Sequence, residues 1–232
     1  MNCRIRPVAQ RRERSPETAN TASDDVYDWW SRHPHALDVL YAMAFLGREA
    51  SFRRRATETL GLAPGERVLE VGCGNGNSFG TLREGVGTDG TVVGLDASEG
   101  MTTAARARVD DAGWRNVHVV QGDARRPPLP DETVDASYAA MSLSAVPDPE
   151  GAVAATRDLL RPGGRFVVLD AQPFDRWPWR ALNPLVVPTA EWATDWVPEV
   201  DLTATLDREF DSVDVSTFNG GSIFVACARK AE

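Results

Sequence analysis

Long apolar runs, cysteine and lysine are all scarce in this 232-residue chain, and each scarcity excludes a class of protein. No stretch approaches the roughly 20 apolar residues that span a bilayer, and the N-terminus lacks the apolar core of a signal peptide, so we expect a cytoplasmic protein. Cys3, Cys73 and Cys227 lie far apart, without CxxC or paired-histidine spacing. This distribution argues against a disulfide framework and predicts no metal site.

A basic excess is also missing. The 25 Lys and Arg residues stand against 34 Asp and Glu, for a net charge of −9. A nucleic-acid binder is expected to carry a basic surplus or stripe, so we predict no nucleic-acid partner. Only one of the basic residues is a lysine, Lys230. An acidic, lysine-poor chain is similar to halophilic proteins of haloarchaeal cytoplasms. A GC-rich genome would also favour arginine, but it would not explain the acidity.

The chain divides into a leader and one predicted domain. Residues 1–23 are polar and arginine-rich and predict a disordered leader, which leaves residues 24–232 for the domain. In residues 24–60 apolar side chains recur at three- and four-residue steps, which predicts a helical cap whose last helix, 48–60, ends at Gly61. Residues 172–200 are rich in tryptophan and proline and predict an irregular aromatic lid insert.

Strands and helices alternate through the rest of the chain. Short β-type runs predict strands at 67–71, 91–96, 117–121, 134–140, 165–170, 212–218 and 222–229. Helices are predicted at 77–85, after a Ser98 cap to about 112, and from 148 or 149 to about 161. Alternation of this kind favours an α/β, Rossmann-like fold. We expect a seven-stranded, mostly parallel sheet with an antiparallel terminal hairpin strand, helices on both faces and the N-terminal helical cap.

A glycine-rich loop follows the first predicted strand. Gly72, Gly74 and Gly76 alternate with other residues directly after Val71. Glycine lets the backbone approach a ligand closely, and the following helix offers free N–H groups at its positive end. Ligands of open parallel sheets bind at this edge. The dinucleotide fingerprint GxGxxG is incomplete, because Asn77 stands at its third glycine position.

The spacing Glu70-x-Gly72-x-Gly74-x-Gly76 instead resembles motif I of the class I S-adenosylmethionine-dependent methyltransferases. Three further stretches agree with that family in order and spacing: GLDAS at 94–98, QGDA at 121–124 and LRPGGRFVVLD at 160–170. The resemblance covers about residues 60–172. Residues 144–170 are similar to the ubiquinone/menaquinone-biosynthesis methyltransferase group, which methylates carbon on a prenylated ring.

The resemblance implies S-adenosyl-L-methionine as the cofactor and a role for each acidic residue of the motifs. Asp96 would accept hydrogen bonds from both ribose hydroxyls, a charge-assisted arrangement that orients a ligand well. Asp123 would accept from the adenine amino group, while the backbone N–H of Ala124 meets the ring. Glu70 would face the methionine end, directly or through water.

Three apolar positions complete the implied site. Met101 would pack on the adenine face, and Ala140 and Met141 would border the methionine moiety and the sulfonium. A core position explains Met101 equally well. The full predicted set is Glu70, Gly72, Cys73, Gly74, Gly76, Asp96, Ala97, Met101, Gly122, Asp123, Ala124, Ala140 and Met141.

The chemistry implied by the family is methyl transfer by in-line displacement, for which the enzyme aligns a nucleophile and excludes water. Aromatic residues flank the predicted site in residues 27–45 and 174–196, which favours a small lipophilic or aromatic acceptor. Packing of the cap on the core explains the same residues. No motif marks a catalytic residue, and the candidates for a general base are Tyr27, His33 and His35.

Two other functions remain open from the sequence. A non-catalytic S-adenosylmethionine-binding scaffold would keep the same loop. An NAD-dependent oxidoreductase is disfavoured by the missing third glycine of the fingerprint. The predicted partner is a small-molecule substrate, with peripheral but not inserted membrane contact allowed, and the predicted state is a monomer or homodimer.

Overall fold

The structure is a computed structural model that describes residues 47–194 and 200–232, with the backbone alone at 190–194. Its helices are α1 Glu49–Leu60, α2 Phe79–Val86, α3 Glu99–Asp111, α4 Pro149–Leu159, α5 Asn183–Thr194 and α6 Leu202–Glu209. Its strands are β1 Arg67–Val71, β2 Thr91–Asp96, β3 Val117–Gln121, β4 Val134–Ala140, β5 Leu160–Ala171, β6 Ser212–Phe218 and β7 Ile223–Arg229. Short 3₁₀ turns cover Leu143–Ala145, Trp179–Leu182 and Asn219–Gly221. The predicted leader and the cap before residue 47 lie outside the described residues.

The seven strands form one sheet in the order β3-β2-β1-β4-β5-β7-β6. Neighbouring strands from β3 to β5 are parallel, and β7 runs antiparallel to both β5 and β6. Five strands have the predicted bounds. The mostly parallel, Rossmann-like fold with an antiparallel terminal hairpin is therefore confirmed.

Strand β5 begins five residues earlier than predicted, at Leu160 instead of Arg165. Leu160 pairs with Val134, and the register between β4 and β5 shifts just beyond this pair. The turn-forming residues 162–164 therefore lie in a bulged part of the strand, which tolerates proline and glycine. Helix α4 correspondingly ends at Leu159, before the predicted terminus near 161.

The prediction of an irregular insert at 172–200 is wrong for the described part, which contains a 3₁₀ turn and helix α5. Pro184 lies in the first turn of α5. A proline is tolerated there because backbone N–H groups of the first turn make no intrahelical hydrogen bond. The sequence pattern also did not indicate helix α6. Asp201 begins that helix by accepting a hydrogen bond from the backbone N–H of Ala204 at 3.0 Å.

Two apolar clusters fill the space on the two faces of the sheet. On one face Phe79 and Tyr138 are fully buried among residues of α1, α2 and the strands. On the other face Leu69 and Phe166 pack with residues of α4 and α6. Neighbours such as Val68 and Leu69 point to opposite faces because side chains alternate along a strand. Both faces are buried, which explains why the strands read as continuous apolar runs.

Helix α1 is tied to the sheet by one arginine of β5. The Arg165 guanidinium donates to the backbone carbonyls of Leu60 and Gly61 at the end of α1 and pairs with Glu66 at 2.7 Å. Gly61 closes the helix in the left-handed conformation, with φ of 56°, as the predicted stop requires. These bonds fix the orientation of α1, which carries one wall of the candidate site.

No helix within residues 47–194 and 200–232 combines the length and apolar character that crossing a bilayer requires.

Candidate functional site

A cavity of about 210 Å³ opens where β1, β2 and β4 end. Its lining includes twelve of the thirteen residues predicted from the sequence: Glu70, Gly72, Cys73, Gly74, Asp96, Ala97, Met101, Gly122, Asp123, Ala124, Ala140 and Met141. The parallel sheet explains this convergence, because the carboxyl ends of neighbouring parallel strands lie at one edge. Residues 70, 96, 121 and 140, far apart in sequence, all lie at or near the ends of such strands.

The three glycines of the loop differ in the space that surrounds them and in the reason why a side chain is absent. Gly72 has φ of 65°, and a Cβ there would lie 2.4 Å from the Cβ of Ser142. Gly74 has φ of 53° and no atom within 4 Å of such a Cβ, so it leaves open space on the cavity side. Gly76 is the one residue of the predicted set that does not line the cavity. A Cβ at Gly76 would lie 2.5 Å from the Phe79 ring, so this glycine serves core packing at the start of α2.

Asp96 is positioned beside the loop by two backbone donors. Its carboxylate accepts from the N–H of Gly74 at 2.8 Å and from the N–H of Ser98 at 3.0 Å. Burial raises the pKa of Asp96, and the two hydrogen bonds lower it in part. Ser98 caps helix α3 as predicted, accepting from the N–H of Met101 at 3.2 Å. The carboxylate is thus held at the loop with acceptor capacity left for a ligand.

Asp123 is engaged by a partner that the sequence analysis did not consider. The Arg125 guanidinium meets the Asp123 carboxylate with two donors, Nε to Oδ1 at 3.0 Å and Nη2 to Oδ2 at 2.6 Å. These hydrogen bonds hold the pKa of Asp123 below its usual range despite the opposing effect of partial burial. Arg125 also lines the cavity. Any ligand group that meets Asp123 therefore shares the carboxylate with Arg125 or displaces it.

Glu70 forms the buried acidic end of the cavity. Its side chain is only 2% exposed, and Oε2 has no hydrogen-bond partner within the described residues. Burial raises the pKa of Glu70 to about 7, although Ser78 and the charge of Arg53 act in the opposite direction. A buried carboxyl oxygen without a partner is costly in a folded protein and marks a place where a donor is expected.

Arg53 of helix α1 lies beside Glu70 in the cavity wall, and the sequence analysis missed it. Its Nε donates to Glu49 at 2.7 Å and its Nη1 to the Ser78 hydroxyl at 3.3 Å. The only signal in the sequence was the four-residue spacing of Glu49 and Arg53, which is also that of an ordinary surface pair on a helix. Arg53 and Glu70 together present a cation and an acid to the same end of the cavity.

The loop after β4 closes another side of the site. Met141 has φ of 57°, a strained left-handed conformation for a residue other than glycine, and its N–H donates to the carbonyl of Leu169 at 2.8 Å. Ser142 donates its hydroxyl proton to the carbonyl of Val71 at 2.7 Å, which joins this loop to the glycine loop. Residues 145–147 complete the wall; they belong to the stretch of family resemblance at 144–170 but not to the predicted set of site residues.

Cys73 lines the cavity as a buried thiol whose pKa is raised by burial and by the nearby carboxylates of Asp96 and Glu70. A thiol in this environment stays protonated and acts as a small apolar group. Within the described ranges no group of three His, Cys, Asp or Glu side chains is arranged to hold a metal ion. The general-base candidates Tyr27, His33 and His35 lie outside the described residues.

Comparison with known proteins agrees with this geometry. The profile of a family described as "Methyltransferase domain" matches residues 68–164. A 37.1 kDa protein in transposon TN4556 of Streptomyces fradiae is 34% identical over 67% of this chain and 44% of its own length. Demethylmenaquinone methyltransferase of Bacillus cereus is 29% identical over 64% of this chain and 63% of its own length. The chain therefore spans about half to two thirds of these two relatives.

A third relative is matched almost completely. Phosphatidylethanolamine N-methyltransferase of Cereibacter sphaeroides is 32% identical over 80% of this chain and 90% of its own length. Among solved structures, a SAM-dependent methyltransferase from Aquifex aeolicus has the same fold, with a TM-score of 0.60, 23% identity and coverage of 76% of this chain and 88% of that one. The chain belongs to the class I S-adenosylmethionine-dependent methyltransferases, whose cofactor is S-adenosyl-L-methionine.

Proposed function

We propose that the chain binds S-adenosylmethionine in the cavity at the ends of β1, β2 and β4 and transfers its methyl group to a small lipophilic or aromatic acceptor. The observation that carries the proposal is the order of polar groups along the cavity. Asp123 follows β3, Asp96 ends β2 and Glu70 lies in β1, and these strands are neighbours in the sheet in the order β3-β2-β1. Arg53 lines the same cavity as Glu70. Family membership favours this function over a nicotinamide-dependent or scaffold role.

The residues present fit the polar groups of the cofactor. An α-amino acid has one ammonium and one carboxylate, and Glu70 and Arg53 offer the complementary charges within one wall. The cofactor ammonium would supply the donor that Oε2 of Glu70 lacks among the described residues. Asp96 keeps free lone pairs for ribose hydroxyls, and Gly74 leaves open space where a side chain would fill the cavity.

When bound, the cofactor supplies an electrophilic methyl group on a sulfonium. The chain itself has to orient the acceptor toward that methyl group and exclude water, and this positioning contributes on the order of 7–11 kcal/mol in favourable cases. Ala140, Met141 and residues 145–147 supply the apolar part of the wall. An acceptor that is a poor nucleophile at neutral pH would need a general base, and the candidates Tyr27, His33 and His35 lie outside the described residues.

The acceptor class is proposed from two relatives. The aromatic residues 27–45, which the sequence also offered for this purpose, lie outside the described residues, and Trp177 and Trp179 do not line the cavity. One relative is named for a quinone precursor and another for a phospholipid amine, and both acceptors are lipophilic. A screen therefore begins with demethylated quinones and phosphatidylethanolamine, and the readout is acceptor-dependent formation of S-adenosylhomocysteine.

Calorimetry with S-adenosylhomocysteine, at low and at multimolar salt, tests the site. Asp96→Ala removes charge-assisted bonds of about 1.5–3 kcal/mol, so we expect binding at least ten-fold weaker than that of the wild type. The matched control is Asp89→Ala, which removes an exposed carboxylate outside the cavity and is expected to leave binding unchanged. Absence of binding by the folded wild-type protein would refute the proposal.

A further inference from the structure

An exposed apolar segment follows β5, and none of its residues lines the cavity. Six large apolar side chains are strongly exposed in the described part of the chain, and five of them lie within ten residues: Trp177, Trp179, Leu182, Leu185 and Val186. Trp177 is 82% exposed and Leu185 is 71% exposed. We refer to residues 175–189 as the tryptophan segment. A concentration of exposed large apolar side chains in so short a stretch indicates an interaction site.

The charge of the tryptophan segment differs from that of the rest of the chain. A quarter of all residues are charged and the net charge is −9, yet residues 181–190 contain no charged side chain. Residues 175–180 contain Arg176 and Arg180 against Asp175, and Glu191 follows the uncharged run within α5, so residues 175–194 carry no net charge in a chain whose net charge is −9. Arg180 forms no ion pair with any of the described residues, although Arg176 approaches Asp175 at 3.9 Å.

The segment is held in place by specific contacts. The backbone N–H and C=O of Phe174 bond the side chain of Asn183 at 2.9 and 3.0 Å. The N–H of Arg176 donates to the carbonyl of Gly220 at 3.3 Å, and the Trp179 ring lies so close to Gly220 that a Cβ there would be 2.6 Å away. Because β7 begins opposite the end of β5, these contacts place the segment at the same edge of the sheet as the cavity.

We propose that the tryptophan segment docks the protein on the surface of a phospholipid bilayer. Trp177 and Leu185 enter the boundary between headgroups and acyl chains, where tryptophan is enriched, and Arg176 and Arg180 face the lipid phosphates. Exposed tryptophan beside arginine suits the boundary between headgroups and acyl chains, because both the side chains and this boundary combine an apolar with a polar part. The uncharged run 181–190 fits contact with an apolar medium and does not need solvation.

Co-sedimentation with sucrose-loaded vesicles tests this proposal on the full chain without cofactor or acceptor, so its outcome is independent of methyl transfer. Vesicles of phosphatidylcholine alone and of phosphatidylcholine with 30% phosphatidylglycerol are the probes. We expect binding to the mixed vesicles that the double variant Trp177→Ser/Leu185→Ser weakens at least ten-fold, with an unchanged Tm and unchanged S-adenosylhomocysteine affinity. The control Val215→Ser removes an exposed apolar side chain of β6 and is expected to bind like the wild type.

Arg180→Glu separates the two parts of the contact. We expect this variant to lose binding to the anionic vesicles more than to the neutral ones, since like charges repel at an anionic surface. Three results would each overturn the proposal. These are wild-type protein that binds neither vesicle, a wild-type dimer that the double variant converts to a monomer, and a double variant whose Tm falls well below that of Val215→Ser. The second result would show that the tryptophan segment binds a second copy of this chain. The third would show that the segment packs against another part of the same chain.

Discussion

Replacement of Glu70 by glutamine tests the buried carboxyl at the amino-acid end of the site. Burial raises the pKa of Glu70 from 4.5 to about 7, and the nearby Asp96 adds to this effect, whereas Ser78 and Arg53 lower the value in part. Glutamine has nearly the same shape and cannot ionise. The variant therefore isolates the titration of one group from changes in packing.

The direction of the effect follows from the two protonation states. In the unfolded chain Glu70 ionises near pH 4.5, whereas in the folded protein it keeps its proton to about pH 7. The favourable contribution of Glu70 to the free energy of unfolding is therefore complete below pH 4.5. This contribution is lost as the pH rises through 7. At roughly 1.4 kcal/mol for each pH unit between the two values, the full effect is about 3 kcal/mol at pH 8.

Urea or thermal unfolding of the ligand-free protein at pH 5 and pH 8 measures this difference. Between these pH values the wild type is expected to lose about 2–3 kcal/mol of unfolding free energy relative to Glu70→Gln, or roughly 5–10 °C in Tm. Glu66→Gln is the opposite control: burial raises the pKa of Glu66, but bonding by Arg165 and Ala63 outweighs this and lowers it. The contribution of Glu66 to stability is therefore lost only below about pH 4.5, so the wild type and Glu66→Gln are expected to change in parallel between pH 5 and pH 8. Parallel pH profiles for the wild type and Glu70→Gln would refute the reasoning.

Three further substitutions test the loop and its wall. Gly72→Ala is expected to cost about 2–5 kcal/mol of stability, because it combines a left-handed backbone with a clash against Ser142, and chemical unfolding measures the loss. Gly74→Ala is expected to cost only the backbone strain, about 1–2 kcal/mol of stability, because no atom lies near the added methyl group. The same variant is expected to weaken S-adenosylhomocysteine binding by filling the cavity. Equal losses of stability in Gly72→Ala and Gly74→Ala would contradict this distinction. Arg53→Met is expected to weaken that binding at least ten-fold in calorimetry, and Arg54→Met, whose side chain is exposed, to leave it unchanged. A normal affinity for Arg53→Met would show that Arg53 does not meet the cofactor.

Much of this fold could be predicted because its signals are local. Strands such as Thr91–Asp96 are short runs rich in β-branched residues that end at a turn. Ser98 is a recognisable helix cap because it lies three residues before Met101, whose N–H donates to its side chain. The spacing of the glycine loop and the acids after β2 and β3 also predicted which residues line the cavity, because parallel strands bring their carboxyl ends to one edge.

Other features depended on contacts between distant residues. Leu160 belongs to β5 because it pairs with Val134, and no local sequence pattern predicts that pairing. Glu70 has the sequence position of a motif acid, but its raised pKa comes from the helix and strands that bury it.

The sequence by itself therefore determined the order of the strands along the chain, the glycine loop and the acids that line the cavity. Only the tertiary structure decided that Arg53, 17 residues before Glu70, shares its wall, and that Gly76 serves packing against Phe79. The physical reason is that periodicity and turn chemistry act over a few residues. A cavity wall is instead assembled from elements whose packing depends on the whole core.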